Sequence, residues 1–381
     1  MELRGTGKSA KMNPMVSFVV PCYKLAHLLP ECVNSILAQT YRQFEVLIMD
    51  NCSPDSTPEV AQSFQDPRVK HIRNDVNIGH VRNFNKGISL SRGKYVWVLS
   101  ADDFLKSPHV LEQFVGVMER NAHVGFVFCR AIEWLDAKEA GTRHCGNVDR
   151  IWEGRDLLRK LVKSNFIAQS SGMVRKACYE MVGVFAPDMP FACDWYLWCL
   201  LALHYDVAYF AEPMVCCRIH EESLTSLFNR GDSPVCVVDE LKVLWRVSRQ
   251  AELAAVYSLR SVCNASIAVR AARALESGRP GDARPGLSEA EFEALLREHV
   301  KDADDEEMLR ACLYRSLGDE QYWGGQYSKA AISYWFGIRL RPWYLRTWVK
   351  YLLLRTGSVG THAREVVSQF RQSGIGRRIV R

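Results

Sequence analysis

The chain contains no run of about 18 apolar residues, so no segment reads as membrane-spanning. Its first fourteen residues, MELRGTGKSAKMNP, hold no apolar stretch and do not read as a secretory signal. The expectation from both is a cytoplasmic protein with a flexible tail at 1–14. Paired cysteines at metal or redox spacing are also missing: the thirteen cysteines are odd in number, scattered, and never fall as C-x-x-C. Adjacent Cys216 and Cys217 suit neither an ordinary disulfide nor a zinc site. They read as reduced thiols acting as small hydrophobes. Charge of one sign is not in large excess either. A net +6 permits affinity for phosphate or an anionic surface but asks for no nucleic acid.

What is present is ordinary for a soluble globular protein: 381 residues, 48% apolar and 24% charged. That length holds one large domain and a smaller one. MVSFVVP (15–21), EVLIMD (45–50), VKHI (69–72), YVWVLS (95–100) and VGFVFC (124–129) are short apolar runs that read as buried strands. Between them lie stretches with helical spacing, among them Leu25–Leu37, a helix opened by Pro58, and one after Gly79. Near-continuous apolar strands alternating with helices predict an α/β fold, a mostly parallel sheet flanked by helices over 15–230. The pattern weakens over 130–153, giving loops or an edge hairpin. It then gives helices at 154–163, 176–182 and 194–204, with short strands at 206–210 and 213–218. From 231 to 381 helices follow without strands, a smaller all-α domain. GRPGDARPG (278–286) reads as a flexible loop, and Ser288 with Glu291 as a capping box. Gly325, Tyr327, Ala330, Ala331, Tyr334 and Pro342 give 318–342 the look of one tetratricopeptide unit, here a helical hairpin packed on something else.

In a parallel sheet, ligands bind beyond the carboxyl ends of the strands, and the polar clusters of this chain sit there. Asp102-Asp103 directly follows a strand. Two carboxylates so placed can ligate Mg²⁺ or Mn²⁺ and leave positions open for phosphates, although Asp also favours turns and caps. Asp304-Asp305 is a useful control, since it stands in the acidic run DADDEE with no strand before it and reads as a helix start. Asp50 ends the second strand, with Asp55 close behind, and acidic residues there can bond a base or ribose. Pro21 and Tyr23 offer a rigid turn and an aromatic face. Arg82, Asn83 and Lys86 lie at the front of a helix, where Arg and the helix N-terminus both suit a diphosphate. Asp194 opens an aromatic helix; it can cap it, or it can take a proton from an attacking hydroxyl. Arg218 and His220 can neutralise a leaving diphosphate.

Taken in order, VSFVVPCY, SILAQTYRQFEVLIMDNCSPDST, NDVNIGHVRNFNKG, RGKYVWVLSADD and CDW resemble the family 2 inverting glycosyltransferases of GT-A fold, over about residues 15–225. The resemblance implies a nucleoside-diphosphate-sugar donor such as a UDP-sugar, a divalent metal (Mn²⁺ or Mg²⁺), and inversion at the anomeric carbon. Carried over, Pro21, Tyr23, Asp50 and Asp55 stand as nucleoside contacts. Asp102 stands as the ribose or sugar contact, Asp103 as metal ligand and Asp194 as base, with Trp195 beside the acceptor. Arg218 and His220 match a loop that closes on the diphosphate. Ser100 and Cys193 stand where many members carry Asp and Glu. The acceptor implied is a saccharide or lipid-linked glycan in cell-surface polysaccharide synthesis.

A non-catalytic scaffold with a decayed transferase domain is the competing class. A sugar-nucleotide-forming nucleotidyltransferase would want a Gly-rich basic loop after the first strand, and PCYKLAHLL lacks one. Residues 339–355 join Trp343, Trp348 and Leu352–Leu354 with Arg339, Arg341, Arg346, Lys350 and Arg355. Such a helix either packs its aromatics on the helical domain or lies on the inner membrane face as a peripheral contact.

Overall fold

β1 (Val16–Cys22), α1 (Leu29–Leu37), β2 (Phe44–Asp50), α2 (Thr57–Ser63), β3 (Val69–Arg73), α3 (His80–Leu90) and β4 (Tyr95–Val98) alternate along the chain. The structure is a computed structural model and describes residues 15–135, 138–230, 234–277 and 286–355. The tail expected at 1–14, nearly all of the loop expected at 278–286 and everything past 355 lie outside the described residues. Every residue of β1, β2 and β4 is buried, which explains why these runs lack polar alternation. β1 pairs in parallel with β2 on one side and β4 on the other, and β2 pairs in parallel with β3. The strand order therefore reverses at β1, and a crevice opens at the carboxyl ends of β1 and β4.

The chain continues through β5 (Phe104–Leu105), α4 (Val110–Arg120), β6 (Val124–Leu135), β7 (Lys138–Arg143), β8 (Arg150–Trp152), α5 (Gly154–Leu161) and β9 (Gly172–Arg175). It then runs through α6 (Cys178–Val182), α7 (Cys193–His204) and β10 (Asp206–Arg218). In the stretch at 130–153, read as loops or an edge hairpin, β6 runs on to Leu135 and pairs antiparallel with β7 as a hairpin, while 144–149 is loop. The path of the sheet is β3-β2-β1-β4-β9-β6-β10-β5. The two short strands expected near 206 and 213 are one long strand. Between Val207↔Phe126 and Val215↔Ala131, β10 advances eight residues while β6 advances five, and the excess is taken up around Pro213. A ladder of rings crosses the core: Phe18 on Trp97 at 5.4 Å, Trp97 on Phe114 at 4.5 Å, Phe114 on Phe210 at 5.5 Å. A buried Phe contributes roughly 1.5–3 kcal/mol by its area alone, so this ladder outweighs any single surface contact.

At the amino ends of the strands, buried Glu45 ties β2 to its neighbours. Its carboxylate accepts from Ser17 Oγ at 2.8 Å, from Arg92 N at 2.9 Å and Nε at 3.0 Å, and from Lys70 Nζ at 3.1 Å.

The chain divides into two compact units, Met1–Leu227 and Phe228–Arg381, with α8 (Leu224–Arg230) at the boundary. The second unit holds α9 (Val235–Leu253), α10 (Ser258–Glu276), α11 (Glu289–His299), α12 (Ala303–Trp323), α13 (Tyr327–Leu340) and α14 (Leu345–Arg355). Ser288 and Glu291 form a reciprocal capping box on α11. Asp302 caps α12, and Asp304 and Asp305 fall in its first turn. The helical hairpin expected at 318–342 is α12–α13. Its packing needs glycine at 318, where an added Cβ would lie 2.4 Å from the Tyr334 ring. Tyr334 in turn donates to Asp319 at 2.7 Å.

Candidate active site

The register Cys22↔Asp50 sets the ends of β1 and β2 side by side. Pro21 accepts from Ala101 N at 3.2 Å beyond the end of β4 and, lacking an N–H, donates nothing back to that segment. Tyr23 follows, half-exposed, before Lys24 turns the backbone to φ 60°. Asp50 is wholly buried. One oxygen accepts from Ser53 N at 2.8 Å; the other meets Arg73 at 2.6 Å and His71 at 3.3 Å. Its carboxylate, expected at a nucleoside, is therefore held by the chain's own donors. Asp55 accepts from Ala26 N at 3.1 Å, and from Thr57 N at 3.2 Å and Oγ at 2.6 Å. Burial raises the Asp55 acid, but these bonds outweigh it and the net shift is downward.

Asp102 and Asp103 follow β4. β5, two residues long, then pairs antiparallel with β10 in the register Cys216↔Phe104. Carried two residues further, that register sets Arg218 opposite Asp102. The Arg218 N–H donates to Asp103 Oδ1 at 2.9 Å, and its guanidinium bonds the Asp102 carbonyl and Glu31 while covering the Phe104 ring at 4.7 Å. His220 Nε2 lies 3.1 Å from Asp102 Oδ2. Burial first, then the Asp102 charge, push the Asp103 acid well above the usual carboxylate range, against the Ser170 hydroxyl and the Arg218 N–H. A cavity of about 540 Å³ opens here, lined by His27, Glu31, Trp134, Arg218, His220 and Glu222 among others. A larger hollow of about 920 Å³, by Met15, Gly93 and Lys176, sits at the opposite, amino ends of the strands. Ligands of parallel sheets do not bind at that end.

Asp194 lies in the first turn of α7, its carboxylate enclosed by protein though the residue keeps some exposure. It accepts from Trp195 N at 2.6 Å and Asn165 Nδ2 at 3.3 Å. Burial raises its acid; Arg143 and these two bonds act in the other direction. Burial, with Asp50 and Asp55 adding, pushes the Cys22 thiol up to about 12. Cys32 is raised first by burial and then by Asp103, Asp102 and Cys22. Cys217 is raised by burial and Asp103 and lowered by Arg143, the same arginine that acts on Asp194. Asp50 and Asp55, at the carboxyl end of β2, and Asp102 and Asp103, after β4, lie along one edge of the sheet, because both strands pair in parallel with β1.

The known proteins agree on this part of the chain. Residues 17–181 match the family model described as glycosyl transferase family 2. That match spans most of the first unit. An uncharacterized glycosyltransferase of Haemophilus influenzae is 28% identical over 224 residues, covering 57% of this chain and 69% of its own. The succinoglycan biosynthesis protein ExoO of Rhizobium meliloti is 39% identical over 93 residues, covering 24% of this chain and 27% of its own. The crystal structure of S. aureus TarS 1-349 in complex with UDP-GlcNAc superposes with a TM-score of 0.54 at 14% identity, covering 89% of this chain and 90% of its own. That likeness shows the fold, a GT-A type sheet flanked by helices with a helical region after it.

Within the first unit two expectations are corrected. Asn83 is buried: its amide donates to the Met49 carbonyl at 2.8 Å and its oxygen accepts from Asn74 at 2.9 Å, so it holds α3 on β2 instead of facing a diphosphate. Trp195 is buried as well, its indole donating to the Leu161 carbonyl at 2.9 Å, a packing residue between α7 and α5 and not an acceptor face. Arg82, one residue from Asn83, is exposed. Glu31, Arg143, Asn165 and Ser170 reach the site without any local signal in sequence. They come from α1, the end of β7 and the segment between α5 and β9, so only contacts between distant parts of the chain bring them there. The Asp102 and Asp103 carboxylates are hard oxygen donors that suit Mg²⁺ or Mn²⁺, and a cation would offset both the burial and the Asp102 charge that raise Asp103. Among the described residues no three Asp, Glu, His or Cys side chains converge as a ready metal site, so the chain offers a partial set.

Proposed function

We propose that the chain transfers a sugar from a nucleoside-diphosphate donor, a UDP-sugar, to a hydroxyl of a saccharide or lipid-linked glycan, with inversion at the anomeric carbon. The observation that carries this is the meeting of Asp102 and Asp103 with Arg218 and His220 at the switch point of the sheet. Support for the donor comes from TarS, crystallised with UDP-GlcNAc, and for a polysaccharide product from ExoO, a succinoglycan biosynthesis protein. Tyr23 and the turn after Asp50 border the nucleoside. Asp102 and Asp103 would hold a divalent cation, which when bound neutralises diphosphate charge. Asp194 takes the proton of the acceptor hydroxyl. The acceptor oxygen forms the new bond to the anomeric carbon while the bond to the diphosphate breaks, and the electron pair leaves with the diphosphate. Arg218 and His220 stand where that charge collects. One base suffices, because no covalent sugar–enzyme intermediate forms.

Thermal unfolding of the full chain with a UDP-sugar and Mn²⁺, with and without chelator, tests the reading. Stabilisation should require the metal and vanish in Asp103→Asn. Asp194→Asn should keep donor stabilisation while transfer to a saccharide mixture falls on the order of a hundredfold or more. Loss of donor binding in Asp194→Asn would make Asp194 a structural turn residue. No metal-dependent stabilisation in the unmodified protein would favour the non-catalytic scaffold.

A further inference from the structure

Helices α13 and α14 turn an apolar face outward. On α14, Leu345, Val349 and Leu352 are 75%, 56% and 52% exposed, and their spacing of four and three residues puts them on one side. The one buried residue of this helix is Thr347, so α14 is inside-out by the rule that orders ordinary surface helices. On α13, Ile332, Trp335 and Phe336 are exposed at matching helical spacing. Trp335 meets Tyr351 at 5.7 Å and Trp348 at 6.4 Å, which joins the two helices into one surface. The reading in which these aromatics pack inside the helical domain is not what the fold does with them.

Charge selects the occupant. Residues 327–355 contain Lys329, Arg339, Arg341, Arg346, Lys350 and Arg355 and no Asp or Glu. Lys350 pairs with Asp319 and Arg341 with Glu307, while Lys329, Arg339, Arg346 and Arg355 are exposed. A second copy seated face to face would bring these cations together. Residues 356–381 carry five arginines against one glutamate, so they too have the wrong sign to cover the patch. An anionic bilayer complements all parts at once: phosphates for the cations, the headgroup level for Trp and Tyr, the acyl boundary for Leu, Ile and Val. Among the described residues no helix is long and apolar enough to cross a membrane, so the contact is one of lying on the surface. We infer that the α13–α14 face of the second unit docks on an anionic lipid surface.

Co-sedimentation of the full chain with vesicles tests this. Binding is expected to phosphatidylcholine and phosphatidylglycerol mixed in roughly equal parts, to weaken with salt, and to be far poorer on phosphatidylcholine alone. Arg339→Gln with Arg346→Gln should lower partition by roughly 25-fold, at about fivefold for each basic residue lost. Leu345→Ser with Leu352→Ser, both at exposed positions, should weaken it without lowering the unfolding temperature. Equal binding to neutral vesicles, or unchanged binding of both double variants, would overturn the proposal. So would a concentration-dependent dimer that dissociates in Leu345→Ser with Leu352→Ser, which would assign the face to a second copy of the chain.

Discussion

Asp194 is a carboxyl whose ionisation is set by protein groups. Burial raises its acid, and Arg143, the Trp195 N–H and Asn165 pull it back without restoring it. Under the proposed mechanism Asp194 acts only as the carboxylate, so transfer should fall as pH drops through this raised value, above the acid limb of a free aspartate. Arg143→Gln removes a charge that favours the carboxylate. The acid limb of kcat/KM should then move to higher pH while metal-dependent donor stabilisation persists, as pH–rate profiles beside thermal unfolding would show. An unmoved limb would mean that the Arg143 charge does not reach the base. Single residues were legible in sequence where a strand end announces them: Asp50, and Asp102 with Asp103, stand at such ends in the fold. Asn83 and Trp195 were not legible in the same way. Helical spacing tells which residues share a face, and only packing tells which face turns inward.

Elements are held by a few shared polar anchors as well as by the ring ladder. Glu45 is the clearest, binding the β1 serine, the β3 lysine and the backbone and side chain of Arg92 at once. Burial works against its charge, but the Arg92, Ser17 and Lys70 bonds win and hold the acid at about 2 instead of 4.5. The folded value is depressed, so this stabilisation is complete above about 4.5 and is lost as pH falls through about 2. Glu45→Gln should lower the melting temperature by a few degrees at neutral pH and flatten its fall between those two limits. Equal pH dependence in the two proteins would refute the assignment. The long apolar strands were readable because burial on both faces leaves an unbroken run. β5 and β9, at two and four residues, are too short to show a period, and Pro213 made one strand look like two.

Across the whole molecule, ten of the thirteen cysteines are buried and three, Cys52, Cys145 and Cys217, are half-buried. Burial pushes Cys22 and Cys129 up to about 12 and Cys145 up to about 11, and only the thiolate reacts. A thiol reagent at neutral pH should therefore modify at most three sites quickly in the native protein and all thirteen after unfolding, as counted by mass. Rapid modification of more than three would show the core to be looser than described. Composition alone indicated reduced thiols; their places needed the fold. The apolar and basic residues of α14 were equally visible in sequence, but whether the helix faced in or out depended on how it packs beside α13. Around Pro213, finally, the surplus residues of β10 act as a spacer that sets the phase of everything after them. Deleting one of residues 211–214 would draw the chain back a step and bring Ile219, not Arg218, opposite Asp102, replacing a cation by a hydrocarbon with no side chain altered. In this fold the count of residues in an unremarkable bend decides the charge of the cleft.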